Sequence, residues 1–167
     1  MTINKAKEIA HTWHSEVNQT YDSKPYVYHL QMVYDYAVEF NDLIPQEILQ
    51  EVLMACYLHD SIEDARKTYN DVKKLFGETV AEIVYALTNE KGRTRKDRAN
   101  ENYYQGIRTT QGASFVKICD RLANVNHSKL TNSRMLEVYR KENTEFKKEL
   151  FNNDYKEMFE RLEKLLK

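Results

Sequence analysis

Apolar residues recur along this chain mostly at spacings of three and four, the period of a helix with one buried stripe, and seldom alternate as a half-buried strand requires. The pattern predicts a first helix over about Asn4 to Val17, with Ile9, Ala10, Trp13 and Val17 on its apolar side and His11 and His14 at its surface edges. The polar stretch Gln19 to Lys24 reads as a loop. Pro25 then suits the first position of a second helix, where its missing N–H costs nothing; Val27, Leu30, Val33, Tyr34 and Ala37 form the buried stripe of that helix. A third helix is predicted from Pro45 through Leu49, Val52 and Cys56 into His59. Beyond a polar break at Ala65 to Thr68, a short helix from Asp71 to Phe76 stops at Gly77 as its C-terminal cap. Val80, Ile83, Val84 and Leu87 mark a fifth helix, residues 99–109 a sixth, and Ser114 to Val125 a seventh. Two amphipathic helices follow, Ser133 to Leu150 and Asp154 to Lys167. The last carries Tyr155, Met158, Phe159, Leu162, Leu165 and Leu166 as a stripe for core closure or for a homodimer contact.

Only four glycines and two prolines punctuate the 167 residues, so the expected fold is an all-α helical bundle of about eight to nine helices, one domain over residues 1–167. Lys and Arg number 25 against 26 Asp and Glu, a formal charge of −1. That balance offers no electrostatic footprint for nucleic acid or for an anionic membrane, so an anionic ligand must be met locally. Lys91, Arg93, Arg95, Lys96 and Arg98 are the one local concentration of positive charge. Cys56 and Cys119 sit inside apolar helical patterns and form no disulfide framework, which suits a reducing compartment. Without an apolar run of membrane-spanning length or a signal-peptide core, the expected location is the cytoplasm.

Chemistry concentrates in Leu58-His59-Asp60-Ser61-Ile62-Glu63-Asp64, one imidazole and three carboxylates within six positions. At about 100° per residue, with His59 at zero, Glu63 falls near about 40°, Asp60 about 100° and Asp64 about 140°, so all four can share a face. Carboxylates that close repel one another unless a cation such as a metal ion compensates. The plainer reading is a solvated helix end beside an ordinary histidine. Asp120 tilts the balance: it interrupts the stripe Phe115, Val116, Ile118, Cys119 and Leu122, where an aspartate is costly unless paired or metal-bound. His29, beside the stripe of the second helix, completes a set with His59, Asp60 and Asp120 on three separate helices. A bundle can direct such groups inward to one ion, and mixed nitrogen and oxygen donors favour manganese, iron or zinc over calcium. Glu63 and Asp64 are then free to position and deprotonate a water made acidic by that ion.

Several segments together resemble the RelA/SpoT-type hydrolase branch of the HD superfamily of metal-dependent phosphohydrolases. They are Pro25-Tyr26-Val27-Tyr28-His29, His59-Asp60-Ser61-Ile62-Glu63-Asp64, Phe76-Gly77-Glu78-Thr79-Val80 with Leu87-Thr88, and Lys117-Ile118-Cys119-Asp120-Arg121-Leu122-Ala123-Asn124. The resemblance covers residues 5–150 and is most specific in its H-D-x-x-E-D and D-R-x-x-N elements. It implies an all-helical HD domain, one manganese ion, and hydrolysis of the 3′-pyrophosphate of the guanosine alarmones (p)ppGpp, leaving GDP or GTP and pyrophosphate. It assigns His29, His59, Asp60 and Asp120 to the metal and Glu63 and Asp64 to the attacking water. Asn124 falls close to the nucleotide, with Lys24, Arg95 and Arg140 as its basic contacts. Where relatives carry a basic pair ahead of the Pro-Tyr element, near the guanine, this chain has Tyr21-Asp22-Ser23-Lys24. The site of the first ligand histidine is followed by Leu30 in place of a common proline, and Ala123 replaces a usual histidine or aromatic. Those departures keep other substrates open: an adenine alarmone, NADPH as a 2′-phosphate donor, or a 5′-nucleotide. A nucleotide-binding module without turnover is the reading from another class.

Overall fold

The structure, a computed structural model, describes residues 1–167. Eleven α-helical segments carry the chain: α1 (Ile3–Glu16), α2 (Val27–Glu39), α3 (Leu49–Leu58), α4 (Ser61–Asp64), α5 (Tyr69–Phe76), α6 (Glu78–Leu87), α7 (Arg95–Arg98), α8 (Glu101–Thr109), α9 (Ala113–Leu130), α10 (Met135–Leu150) and α11 (Lys156–Leu166). Nine have eight residues or more, and α4 and α7 are single turns. The all-α bundle expected from the apolar spacing is what forms.

The longest helix, α9, is the central pillar. Phe115, Val116, Ile118, Cys119, Leu122 and Val125 are buried along it, and α2, α3, α6, α8, α10 and α11 all pack against it. Leu30, Val33 and Ala37 of α2 and the run Val52 to Leu58 of α3 supply the facing side of the core. The stripe Met158, Phe159 and Leu162 of α11 closes that core against α9. Buried apolar area of this kind contributes about 25 cal/mol per Å² and outweighs the weak intrinsic preference of short helices.

Local chemistry sets the boundaries. Thr2 caps α1 through Lys5 N, and Thr68 with Asp71 closes a capping box on α5. Gly77 ends α5 at φ 91°, the conformation that favours glycine, and α6 starts on the next residue. Gly112, at φ 85°, opens α9, and a Cβ there would meet Val52 Cγ2 at 2.7 Å. Three expectations differ. Pro25 does not start a helix: the residue before a proline avoids the helical region, so Lys24 is extended and pairs with Tyr21 in a hairpin of β1 (Thr20–Tyr21) and β2 (Lys24–Pro25). Asp22 and Ser23 both take positive φ at its tip, as a type I′ turn requires. Helix α3 begins four residues after Pro45, because Ile44 is held extended ahead of that proline and a turn intervenes. His14 is buried rather than at a surface edge.

Candidate metal centre and anion-binding cavity

The His-Asp pair sits where α3 gives way to α4. Helical bonding is interrupted at Asp60 (φ −97°, ψ 4°), and the chain re-forms one turn, with Asp64 N donating to Asp60 O at 2.8 Å. The pair therefore lies at a break rather than on one continuous helical face. His59 Nδ1 meets the Cys56 carbonyl oxygen at 3.0 Å, so the proton belongs on Nδ1 and Nε2 is left to face the site. That Nε2 is buried without a hydrogen-bond partner. It lies 2.9 Å from Asp60 Oδ2 and 3.7 Å from Asp120 Oδ1. His29 Nε2, from α2, approaches Asp120 Oδ1 at 3.2 Å and Asp60 Oδ2 at 3.8 Å. One donor atom each from His29, His59 and Asp120 falls within 4.8 Å of the others. Three helices thus converge buried nitrogen and oxygen donors on one point, and an orphaned imidazole nitrogen faces it, which fits a divalent ion.

The carboxylates make this point a place for positive charge, met by a proton on His59. Burial disfavours a charged His59, but Asp60 and the contact with Asp120 outweigh it, so the ring is pushed up to about 10. Asp60 is likewise disfavoured as an anion by burial and is still held below the carboxylate range by His59. Lys117 Nζ donates to Asp120 Oδ2 at 2.9 Å, and Asn124 Nδ2 to Asp120 Oδ1 at 2.5 Å. Lys117, with the histidines, holds Asp120 well below its usual value against the cost of burial. Without the ion, protons and one lysine must balance these carboxylates.

Glu63 and Asp64 flank the cluster on α4. Asn89 fixes Glu63 twice, through its backbone N–H at 3.2 Å and its side-chain amide at 2.9 Å. Asp64 accepts from Gln19 Nε2 at 3.3 Å and Tyr26 Oη at 3.4 Å. Burial, then the charges of Asp60 and Glu63, push its carboxyl up to about 6. Tyr26 stays a hydroxyl donor, since burial and Asp60 raise its phenol well above the ordinary value.

These groups open on a cavity of about 550 Å³. Arg95, Lys96, Arg98, Lys117, Arg121 and Lys141 bring positive charge to its walls, and Tyr103, Tyr104 and Tyr139 line it with rings. Glu142 ties two of the arginines, taking Arg95 Nε at 2.8 Å and Arg121 Nη1 at 2.9 Å. Arg121 also lies over the rings of Tyr139 and Phe146. Among the residues predicted from sequence, His29, Asp60, Glu63, Asp64, Arg95, Asp120 and Asn124 line this cavity, with His59 just behind. Lys24 and Arg140 do not. Lys24 covers the Tyr28 ring at 3.9 Å, and Arg140 Nε donates to the Leu166 carbonyl at the end of α11. Sequence reasoning overlooked Lys117 and Asn89. Lys117 stands one helical turn before Asp120 and had that signal; Asn89 contacts a residue 26 positions away and had none.

The model of the HD domain family matches residues 6–152. The chain belongs to the HD domain family. Membership implies a divalent metal, and His29, His59 and Asp120 form the group that could hold it in this HD domain. Over 75 residues the chain is 33% identical to guanosine-3′,5′-bis(diphosphate) 3′-pyrophosphohydrolase MESH1 of Danio rerio, covering 45% of this chain and 42% of that protein. Over 126 residues it is 32% identical to guanosine-3′,5′-bis(diphosphate) 3′-pyrophosphohydrolase of Aquifex aeolicus strain VF5, covering 74% of this chain and 17% of that one. The HD domain thus spans under half the length of these relatives. A solved structure of a metazoan ortholog of SpoT, described as hydrolysing ppGpp, superposes with a TM-score of 0.76 over 98% of this chain and 92% of that one, at 22% identity. The two share a fold.

Proposed function

We propose that this HD domain is a manganese-dependent hydrolase of the 3′-pyrophosphate of guanosine alarmones, with GDP or GTP and pyrophosphate as products. One observation carries the reading: the His29–His59–Asp120 donor cluster and the free carboxylates Glu63 and Asp64 open on the same cavity as six cationic side chains. Substrate likeness comes from the relatives named as pyrophosphohydrolases.

His29, His59, Asp60 and Asp120 would hold the ion. When bound, it supplies Lewis-acid polarisation of a phosphoryl oxygen and makes a neighbouring water more acidic. Asp64, held beside the donor cluster by Gln19 and Tyr26, is suited to take a proton from the attacking water. Glu63, fixed by Asn89, orients that water. Arg95 and Arg121 present guanidinium forks to phosphate oxygens, exchanging Glu142 for substrate. Asn124, bonded to Asp120, lines the same cavity and would meet the sugar, and the tyrosine rings would exclude water around the nucleotide.

The test is manganese-dependent release of pyrophosphate from guanosine tetraphosphate, run beside pyrophosphate release from the adenine analogue and orthophosphate release from NADPH. Guanosine-selective release that disappears in His59→Ala is the expected result. Release from the other compounds alone keeps the mechanism and discards the alarmone; the Tyr21-Asp22-Ser23-Lys24 hairpin, lacking a basic pair, is the observation that favours that second reading.

A further inference from the structure

His14 and Tyr26 take no part in the chemistry above, yet they are built into its scaffold. His14, on α1, is 1% exposed, and neither ring nitrogen has a hydrogen-bond partner. Two unpaired buried nitrogens are costly, so the imidazole serves through its face rather than its nitrogens. That face lies 4.4 Å from the Tyr26 ring with the planes 20° apart. Tyr26 immediately precedes α2, and its ring meets His29 edge-on at 5.5 Å. Its hydroxyl donates to Asp60 Oδ2 at 2.6 Å and reaches Asp64 Oδ2 at 3.4 Å. One phenol thus bridges Asp60, beside the donor cluster, and the carboxylate that faces the attacking water. Rotating the ring by one rotamer would release both, and the neighbouring histidine plate opposes that rotation.

We propose that Tyr26 is a positioning residue, its hydroxyl fixing Asp60 and Asp64 relative to one another, and that His14 is the aromatic plate that fixes the Tyr26 ring. The role of Asp64 in this statement rests on the hydrolytic reading; the hold on Asp60 does not. A hydroxyl at the cavity edge whose bonds go to these two carboxylates acts on turnover and on the metal rather than on substrate affinity. A flat apolar ring can replace His14, since the imidazole nitrogens bond to nothing.

The experiment compares full-length wild type, Tyr26→Phe, His14→Phe and His14→Ala. Manganese affinity is read from the electron paramagnetic resonance of free Mn2+, and kcat and KM are measured on guanosine tetraphosphate. Loss of a hydrogen bond to a carboxylate predicts that Tyr26→Phe lowers kcat about tenfold or more, keeps KM within about twofold, and weakens manganese binding several-fold. His14→Phe stays near wild type in all three, whereas His14→Ala reproduces the Tyr26→Phe losses. Wild-type kcat and manganese affinity in Tyr26→Phe overturn the proposal. So does a His14→Phe protein with the kcat and manganese-affinity losses expected of His14→Ala, because the imidazole nitrogens would then be what matters. If His14→Ala does not fold, Tyr26→Phe and His14→Phe decide alone. If wild type turns over none of the nucleotides, the hydrolytic reading fails, and the manganese affinities still decide whether Tyr26 holds Asp60.

Discussion

Asp64 is an aspartate kept against its own preference. Its native carboxyl is raised to about 6 by burial and by Asp60 and Glu63, while an unfolded chain would hold it near about 3.9. The native state therefore binds this proton more tightly, and the stability linked to it is present below the unfolded value and lost as pH rises through about 6. Asp64→Asn deletes the like charge and keeps an oxygen for Gln19 and Tyr26. The metal-free variant is expected to melt higher than wild type at about pH 7.5 and level with it at about pH 4, as read by thermal melts at both. The same variant should lose about a hundredfold or more in turnover, so a functional residue is bought with stability. Glu63→Gln should likewise cut turnover and leave manganese affinity alone, because Glu63 bonds to Asn89 and not to the donor cluster. At this scale the convergence of His29, His59 and Asp120 was legible: an aspartate amid Phe115, Ile118 and Leu122 signals its own compensation. His14 was not read correctly, although it falls in register with Ala6, Ala10 and Trp13 on the buried side. A histidine can end either way, and only its neighbours decide.

Two glycines separate local from tertiary constraint among the helices. Gly77 has positive φ but open space where a Cβ would go, while Gly112 has positive φ and Val52 Cγ2 at 2.7 Å. Gly77 combines φ 91° with ψ 173°, a region essentially reserved to glycine, so Gly77→Ala is expected to lose about 1–3 kcal/mol of unfolding free energy, from backbone strain alone. Gly112→Ala adds overpacking and should lose about 2–4 kcal/mol, measured by urea unfolding. Val52 is on the helix that ends at His59, and Gly112 opens the helix that carries Asp120. Gly112→Ala should therefore also weaken manganese binding, whereas Gly77→Ala should not. Equal losses of manganese affinity in the two variants would refute this. The cap at Gly77 could be read from the chain because a helix stop is local. Gly112 gave no such sign, since its neighbour is 60 residues away in sequence. The hairpin at Thr20 to Pro25 escaped notice for a related reason: four paired residues are too few for a periodic signal.

Across the whole molecule the formal charge is −1, yet one cavity gathers six cationic side chains. Six carboxylates line it too, Asp60, Glu63, Asp64, Asp120, Glu142 and Glu145, so attraction of an anionic substrate rests on short-range contact with the cations, within the about 10 Å over which charges are felt at about 0.1 M salt. KM for guanosine tetraphosphate should rise several-fold as ionic strength goes from about 0.05 to 0.3 M, with kcat changing far less. A salt-independent KM would place the substrate elsewhere. No helix is long and apolar enough to cross a membrane. The bundle as a whole was legible because burial of a helical stripe is a repeated, local pattern. The cavity walls were not, because α7, α9 and α10 meet there only through tertiary packing.

The central pillar α9 has a consequence in time as well as in space. Its Asp120 faces the donors of α2 and α3, while its other side is covered by Met158, Phe159 and Leu162 of α11. A ribosome delivers these parts in order, at about 5–20 residues per second. The histidines emerge first and wait for a partner that is itself propped up only when α11 arrives. The core around α9 therefore closes only when that late helix docks, and a chain cut short before α11 is expected to hold Asp120 less firmly, read as a lower melting temperature and weaker manganese binding.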